Sequence, residues 1–536
     1  MDKKPNILII MCDQLRHDYL HCYGNEWIST PNIDSIAEDG CLYENAYSPN
    51  PVCIPARHNL FTGLTAREHG FDDNYFGNDA RPCPWNLPTF AKILSDGGYS
   101  TFAFGKMHFQ PERNAYGFDT FLNMDEVVED IMEDEYLQFL NEKGYGHVGS
   151  FHGVRNVLYQ QPQQSLLPDE LHGSHWVADK TIEMLNKRPK QDRPFLCVTG
   201  FIQPHPPLSS PPSYSHLYDG KVPKHTSSIT PLSTFAKENQ ALADMSDEAN
   251  INRMRELYAS AITWVDYNVG RILKALKDNE LEDNTLVIFL SDHGEMLGDL
   301  DTYQKFLSYE ASSHIPLLMK WPSRISKGTR NSLYADLNDI LPTLVDVAGL
   351  EYPIDRKLPG ESLFKEGQKD RHFQYIEHQR DNKRWCAILD GTYKLTHYYG
   401  DDDTLFNLKE DKEERINLLY NNAKEYQDIY QELRKKLIEY EKEWGLEGYI
   451  ENDDFKKFAR YEAHDYYEGC FPKYIKTYRG EEDIFDDLSD EIFKAIKDEP
   501  TVHLSKLHLK EILLNAGYDE EYITKLLDRA RKEDRY

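Results

Sequence analysis

The residue types best suited to chemistry lie in one stretch, residues 50–63. Its sequence is Asn-Pro-Val-Cys-Ile-Pro-Ala-Arg-His-Asn-Leu-Phe-Thr-Gly. Cys53 supplies a thiol, and Arg57 supplies a permanently charged donor fork that suits an anionic oxygen. Because Pro51 and Pro55 restrict the backbone on both sides of the cysteine, we expect a fixed loop here rather than a helix. The stretch therefore predicts a presented thiol beside an anion-binding arginine, with a buried structural cysteine beside a loop arginine as the alternative.

Basic side chains also occur in two further segments, one predicted to be extended and one constrained by prolines. Lys106 and His108 follow an apolar segment and are two residues apart, so they would face the same side of an extended chain. His205 lies between Pro204 and Pro206, which leave its backbone little freedom, as suits a group that transfers a proton or contacts an anion. A solvated surface pair and a plain turn histidine are the alternatives.

Polar side chains also follow two apolar segments, residues 7–11 and 285–290, that are predicted as buried strands of a parallel sheet. These side chains are Asp13 and Gln14 after the first segment, and Asp292 and His293 after the second. Open α/β sheets place their ligand sites at the carboxyl ends of such strands. A strand-end aspartate can also serve as a cap or turn residue, so the position alone leaves both roles open.

Together these motifs resemble the signatures of the type I sulfatases. The Cys-x-Pro-x-Arg string continues to Thr62-Gly63, and the family's Gly-Lys-x-His and Pro-His-x-Pro motifs are matched around Lys106 and His205. The similarity runs from Pro5 to about Leu419. It implies an alkaline phosphatase-like fold, and a cysteine that a formylglycine-generating enzyme oxidises to an aldehyde whose hydrate is the nucleophile.

The resemblance also implies a divalent cation. Its ligands would be Asp13, Gln14, the modified Cys53, Asp292 and His293. Gln14 stands where the family has a second acidic residue, which removes one negative charge, and His293 stands where many relatives have asparagine. Calcium is the first choice for this ion, with manganese or zinc as alternatives.

The remaining catalytic residues implied by the resemblance are Arg57, Lys106, His108, His205 and Lys305. Lys106 and Arg57 would hold the nucleophile and the sulfate. His205, with Lys305, would contact or protonate the leaving group, and His108 would take the second hydroxyl's proton so that the aldehyde re-forms. The predicted function is hydrolysis of a sulfate monoester, such as a small sulfated sugar or an aryl or alkyl sulfate.

Two other functions remain open at this stage. A phosphonate monoester hydrolase or phosphodiesterase would share the formylglycine and the metal site, although Lys106 and His108 favour a sulfatase. A catalytically silent protein that binds sulfoglycans or a metal would result if Cys53 were never oxidised, or if Gln14 spoiled the site.

Composition limits the classes of binding partner and the cellular compartment that we expect for this protein. Over 536 residues the formal net charge is −30, which argues against non-specific binding to nucleic acid or to an anionic membrane. The apolar run near the N-terminus, residues 6–11, is too short for a signal peptide or a membrane-spanning helix. The eight cysteines include no Cys-x-x-Cys pair, so we expect a reducing cytoplasm rather than a disulfide framework.

The pattern of helices and strands predicts an α/β protein with a large, mixed, mostly parallel sheet sandwiched by helices. Residues 1–370 are predicted as this catalytic domain, and residues 371–445 as a small antiparallel sheet with a helix, marked by the Asp390-Gly391 hairpin signal. Residues 446–536 form an acidic, Tyr-rich, mainly helical extension. A homo-oligomer contact and a cap over the active site are the two roles expected for it.

Overall fold

A large mixed sheet forms the centre of the protein. The computed structural model describes residues 4–74, 87–111, 113–128, 134–188, 193–240, 245–364, 371–422 and 424–462. Among them, the strands of this sheet are β1 (Asn6–Asp13), β2 (Cys41–Tyr47), β3 (Ser100–Gly105), β4 (Thr120–Asn123), β5 (Phe195–Pro204), β6 (Thr285–Ser291), β7 (Leu317–Lys320) and β8 (Thr329–Asp336). Their spatial order is β4-β3-β5-β1-β6-β7-β2-β8, and β7 runs antiparallel to both of its neighbours while the other described pairs are parallel.

Helices cover both faces of this sheet. In chain order, the described helices are α1 (Pro31–Glu38), α2 (Cys53–Thr62), α3 (Ala66–His69), α4 (Phe90–Asp96), α5 (Glu135–Glu142), α6 (Gly173–Lys187), α7 (Thr234–Gln240), α8 (Glu248–Asp278), α9 (Glu310–Ser313), α10 (Ile340–Val347), α11 (Leu419–Asn422) and α12 (Gln427–Glu443). Successive side chains of β1 point to opposite faces. Leu8 and Ile10 therefore pack in one core with α1, α6 and α8, and Ile7 and Ile9 in another with α2, α4 and α10. The predicted sandwich of sheet and helices is confirmed.

A second, antiparallel sheet follows along the chain. Its strands are β9 (Gln374–His378), β10 (Trp385–Leu389), β11 (Tyr393–Tyr398) and β12 (Thr404–Asn407), in the spatial order β12-β11-β10-β9. The predicted hairpin turns at Gly391, whose φ of 86° is one that glycine adopts readily. Leu433 and Leu437 of α12 pack in one core with Ile388 and Leu395 of this sheet. A short hairpin, β13 (Ile450–Glu451) and β14 (Asp454–Phe455), ends the described part.

The loop predicted around Cys53 is wrong, because α2 begins at this residue. Val52, in an extended conformation, is the N-cap, and Pro55 occupies the third position of the helix. The backbone N–H groups of the first turn have no partner within a helix, so a proline there sacrifices no hydrogen bond. The N-terminal turn of α2, rather than a loop, therefore positions the thiol.

The remaining expectations concern residues that the structure describes only in part. Residues 463–536, which make up most of the predicted helical extension, lie outside the described residues, so the role of the extension and the domain boundaries stay predictions. Among the described helices, none combines the length and apolarity that crossing a membrane requires.

Candidate active site

Four potential metal-binding side chains converge at the carboxyl ends of β1 and β6, which are adjacent and parallel. Asp13 ends β1, Asp292 and His293 follow β6, and Cys53 approaches from the first turn of α2. One ligand atom from each lies within 4.8 Å of those of the other three, and all four residues are buried. Two carboxylates and an imidazole in this arrangement are donors suited to a divalent cation.

His293 presents one ring nitrogen to this cluster. Its Nδ1 lies 3.0 Å from the carbonyl oxygen of Gly294, to which it can only donate, so Nε2 carries a lone pair. Nε2 lies 3.1 Å from Cys53 Sγ. Burial lowers the pKa of His293, which keeps the imidazole in the neutral form that binds metals.

Backbone N–H groups hold Asp292, and cationic side chains hold Asp13. Asp292 Oδ1 accepts from the backbone N–H groups of Gln14, at 3.0 Å, and His293, at 2.9 Å. Burial would raise the pKa of Asp13, but nearby cationic groups, led by Lys106, hold it well below its usual range. Both carboxylates are therefore oriented before any ion binds.

Gln14 lies beside the cluster, with its backbone in the left-handed region at φ 67°. Its side-chain oxygen accepts a hydrogen bond from Lys305 Nζ at 2.8 Å, and its amide nitrogen donates to Glu295 and to the Tyr159 hydroxyl. Glu295 and Tyr159 are also hydrogen-bonded to each other, at 2.8 Å. The oxygen predicted as a ligand thus faces a lysine, and its role at the metal stays a prediction.

Arg57 lies one turn after Cys53 on α2 and bridges the two aspartates. Its Nε donates to Asp292 Oδ2 and its Nη2 to Asp13 Oδ2, each at 2.8 Å, while Nη1 donates to the Lys106 carbonyl at 2.6 Å. The expected role of this guanidinium was to hold the nucleophile and the sulfate. In this structure its contacts orient the carboxylates and the backbone at Lys106.

Lys106 and His108 both reach the cluster, but not along an extended strand. β3 ends at Gly105, and His108 has φ 58°, so the alternation that predicted a shared side does not apply. Lys106 Nζ lies 2.6 Å from Asp13 Oδ2 and is paired with Glu126. His108 forms a hydrogen bond with the Cys53 side chain, and burial followed by the charge of Lys106 lowers its pKa.

His205 and Lys305 meet next to the thiol. Lys305 Nζ lies 3.2 Å from Cys53 Sγ and 3.0 Å from His205 Nε2. Nδ1 of His205 lies 2.5 Å from the Pro206 carbonyl, which requires a proton on Nδ1 and leaves Nε2 as an acceptor. Burial holds the pKa of His205 well below its usual range, and the charge of Lys305 acts in the same direction.

Sequence reasoning missed four residues of this network: Glu126, Arg155, Tyr159 and Glu295. Glu126 pairs with Lys106 and Arg155 and lies 3.6 Å from His205 Nε2. Glu295 follows Asp292 by three residues, but no periodicity or spacing in the sequence indicates a role for it. Glu126 and Tyr159 lie in a bend and a turn, and Arg155 begins a short 3-10 helix, so no sequence pattern relates these residues to the site.

The assembled site places the Cys53 thiol among fixed positive and negative groups in a buried environment. Lys305, Lys106 and Arg57 supply cationic donors close to Cys53, and the neutral histidines supply proton acceptors. Such a site can stabilise the charge that develops when an anionic ester is attacked at its central atom.

Comparison with known proteins gives a consistent result. The family profile described as Sulfatase matches residues 5–350, and that of the C-terminal part of N-sulphoglucosamine sulphohydrolase matches residues 298–443. An arylsulfatase of Clostridium perfringens is 30% identical over 485 residues, which cover 85% of this chain and 98% of the relative.

Two more distant relatives span similar shares of the chain. An N-acetylglucosamine-6-O-sulfatase of Bacteroides thetaiotaomicron is 26% identical, with 85% of this chain and 88% of the relative covered. The crystal structure of the phosphonate monoester hydrolase of Agrobacterium radiobacter superposes with a TM-score of 0.70 at 23% identity, over 83% of this chain and 98% of that one. At 23% identity, this superposition shows that the two proteins share a fold and nothing about their activities.

Proposed function

Because the chain belongs to the type I sulfatases and is a sulfuric ester hydrolase, we propose that it hydrolyses sulfate monoesters of small molecules through a formylglycine made from Cys53. The observation that supports this most directly is the convergence of Cys53 with Asp13, Asp292 and His293, with Lys305 against the same thiol. The sulfur atom stands in for an oxygen that the modified residue would carry on Cβ. The contacts of Sγ therefore indicate which side chains surround the nucleophile.

Asp13, Asp292 and His293 would hold the divalent cation, and we propose calcium because two of these donors are carboxylates. When bound, the cation supplies positive charge that lowers the pKa of the attacking hydroxyl of the hydrated formylglycine and neutralises sulfate oxygens. Arg57 keeps the two carboxylates turned towards the cluster through its paired hydrogen bonds. The backbone N–H of Gln14 would help to orient Asp292, and Glu295 would hold the side chain of Gln14.

We propose that Lys305 provides the proton that the departing alcohol needs. The ester oxygen leaves with the electron pair of the S–O bond and must gain a proton to form a neutral alcohol. His205 Nε2 is an acceptor in this structure, whereas the Lys305 ammonium has protons to give and contacts both His205 and Cys53 Sγ. His205 would therefore orient Lys305 and then contact the leaving oxygen.

His108 would act in the second half of the reaction. It is held with a lowered pKa against the side chain of residue 53, so at neutral pH it can accept the proton of the second hydroxyl. Loss of that proton restores the aldehyde, and the sulfate departs with the electron pair of the C–O bond. Water is then needed only to hydrate the aldehyde, not to attack sulfur.

The proposal extends to substrate, partner and compartment. The names of the relatives support aryl sulfates and sulfated amino sugars as the first substrates to try. A formylglycine-generating enzyme is the required partner for Cys53. The cysteines of the described residues, at positions 12, 22, 41, 53, 197 and 386, are all free, which supports a reducing compartment such as the cytoplasm.

The proposal is tested by comparing nitrophenyl sulfate with a nitrophenyl phosphodiester as substrates of the matured enzyme. We expect a higher kcat/KM on the sulfate, loss of turnover in Cys53→Ala, and little change in Cys22→Ala, a half-buried cysteine on another segment. A preference for the phosphodiester would assign the chain to phosphonate or phosphodiester hydrolysis instead. Binding of sulfated ligands without turnover would indicate a silent binding protein.

A further inference from the structure

Glu126 places a carboxylate among the cationic groups that would receive the ester. Its Oε2 pairs with Lys106 and its Oε1 pairs with Arg155. Oε1 also lies 3.6 Å from His205 Nε2. The side chain is only 11% exposed. An acid in this position is unexpected, since a site for an anionic substrate gains affinity from positive charge.

The segment that carries Glu126 is fixed by hydrogen bonds next to it. The backbone N–H of Asp125 donates to Asp134 Oδ2 at 2.6 Å, and His152 Nε2 lies 3.0 Å from the carbonyl oxygen of Asp125. Because both backbone groups of the preceding residue are bonded, Glu126 enters the site from a defined position. Its carboxylate is therefore a built-in part of the electrostatics of the site.

The charges of the site balance only when Glu126 is included. The basic side chains of the described network are Arg57, Lys106, Arg155 and Lys305, and its acidic side chains are Asp13, Glu126, Asp292 and Glu295. A bound divalent cation makes this set positive by two charges. Without Glu126 the excess would be three.

This difference matters because the reaction converts a monoanion into a dianion. A sulfate monoester carries one negative charge, whereas a phosphate monoester near neutral pH and the released inorganic sulfate each carry two. The energy of a charged group in the site scales with its charge, so each additional positive charge favours a dianion about twice as strongly as a monoanion. A carboxylate beside the ester would oppose dianions selectively.

We propose that Glu126 is a specificity residue that discriminates against dianions, both phosphate monoesters that compete for the site and the sulfate product that must leave it. The inference rests on the proposed function, since it takes a sulfate monoester as the substrate. Lys106, already bonded to Asp13 and Glu126, retains limited capacity to neutralise a second negative charge. Arg155, which pairs with Oε1 of Glu126, partly offsets the negative charge of this carboxylate.

The experiment is a charge cycle on the matured full-length enzyme with the variants Glu126→Gln, Arg155→Gln and the double variant. For each, kcat/KM is measured on nitrophenyl sulfate and on nitrophenyl phosphate, and nitrophenyl phosphate and inorganic sulfate are also tested as inhibitors of sulfatase turnover. Glu142→Gln, which neutralises an exposed glutamate on α5, is the matched control.

For Glu126→Gln we expect nitrophenyl phosphate to gain about tenfold relative to nitrophenyl sulfate, in turnover or in inhibition, and inorganic sulfate to inhibit about tenfold more strongly. Arg155→Gln should shift both quantities in the opposite direction, and the double variant should return towards the wild-type ratios. Glu142→Gln should leave them unchanged.

A purely structural role would instead reduce both activities by one common factor, and unchanged ratios in Glu126→Gln would overturn the proposal. So would nitrophenyl phosphate that neither reacts with nor inhibits Glu126→Gln while nitrophenyl sulfate is still hydrolysed. Absence of sulfatase turnover in the matured wild-type enzyme would instead refute the proposed function itself, so the two failures are distinguishable.

Discussion

In the proposed mechanism, Lys305 gives a proton to the departing oxygen. Its ammonium contacts Cys53 Sγ, Gln14 Oε1 and His205 Nε2, all acceptors in this structure. An ester with a weakly acidic alcohol depends most on this proton, because the alkoxide it would otherwise release is unstable. The contribution of Lys305 should therefore increase with the pKa of the leaving group.

Lys305→Ala is expected to lower kcat by about 10²- to 10³-fold on alkyl or unactivated phenyl sulfates, and by much less on nitrophenyl sulfate. The measurement is a series of aryl sulfates of graded leaving-group pKa, compared between wild type and variant. Lys274→Ala, which removes an exposed lysine from α8, should follow the wild-type series. An equal loss on every substrate would show that Lys305 only binds the sulfate.

His58 is a buried residue of α2 that directly follows Arg57. Its ring nitrogens lie 2.7 Å from the Ile54 carbonyl and 2.8 Å from the Tyr116 hydroxyl, and burial lowers its pKa to about 4. The unfolded chain, with a histidine pKa near 6.5, therefore binds the proton that the folded state excludes between these values. Stability from this group is complete above pH 6.5 and is lost as the pH falls towards 4.

The free energy of unfolding of His58→Gln should accordingly depend less on pH than that of the wild type. Between pH 6.5 and 4 the difference between the two proteins should change by about 3 kcal/mol, to the relative advantage of the variant at low pH. Urea unfolding at a series of pH values measures this. Parallel curves for the two proteins would contradict a neutral buried His58.

The elements that present the site were largely predictable, because their signals are local. The apolar runs of β1 and β6 and the three- and four-residue periodicity of α8 predict these elements and place Asp13 and Asp292 at one edge of the sheet. The start of α2 was not predictable by the same rules. A proline discourages a helix in general but is tolerated in the first turn, and the sequence does not show where the helix begins.

The residues that sequence reasoning missed act through long-range contacts. Glu126 pairs with both Lys106 and Arg155, and Tyr159 donates a hydrogen bond to Glu295, which lies 136 positions further along the chain. Hydrogen bonds of this kind depend on tertiary packing, which no periodicity encodes. Sequence motifs therefore identify the side chains next to Cys53 better than they identify the residues that orient these side chains.

Gly105 ends β3 and lets the chain turn so that Lys106 enters the site. Its φ is 92°, and a Cβ atom there would lie 2.1 Å from the carbonyl oxygen of Gly200 on β5. Gly105→Ala should displace Lys106 and lower kcat/KM by about 100-fold or more, as misplacement of a positioned group does.

Gly98 provides the matched control for this substitution. It has a similar φ of 90°, but a Cβ there would have no heavy atom within 4 Å. Gly98→Ala should destabilise the protein by about 1 kcal/mol through backbone strain and keep its activity. Thermal unfolding and kcat/KM of both variants decide the matter, and an active Gly105→Ala would contradict the position assigned to Lys106.

The molecule as a whole carries a formal charge of −30, yet basic side chains gather around Cys53. An anionic substrate is thus attracted only by the local charge of the site. A cation bound to the buried acidic cluster should stabilise the folded state. Binding to the folded state alone stabilises it by about 2.7 kcal/mol at a cation concentration one hundred times Kd.

Calcium added to metal-free protein should therefore raise Tm in a concentration-dependent manner, and Asp292→Asn should remove most of this shift. Asp278→Asn, an exposed position at the end of α8, should retain it. Manganese and zinc, tested in parallel, identify the preferred ion. Equal shifts in both variants would show that calcium stabilises the protein elsewhere.

The most direct test of the account is mass spectrometry of the peptide containing Cys53, combined with the turnover of the same samples. Protein produced with graded amounts of a formylglycine-generating enzyme should contain graded fractions of aldehyde in place of the CH2–SH group. The account predicts that kcat for nitrophenyl sulfate rises in proportion to the aldehyde fraction, from zero for the pure thiol. Full turnover by the unmodified thiol, or none by fully converted protein, would contradict it.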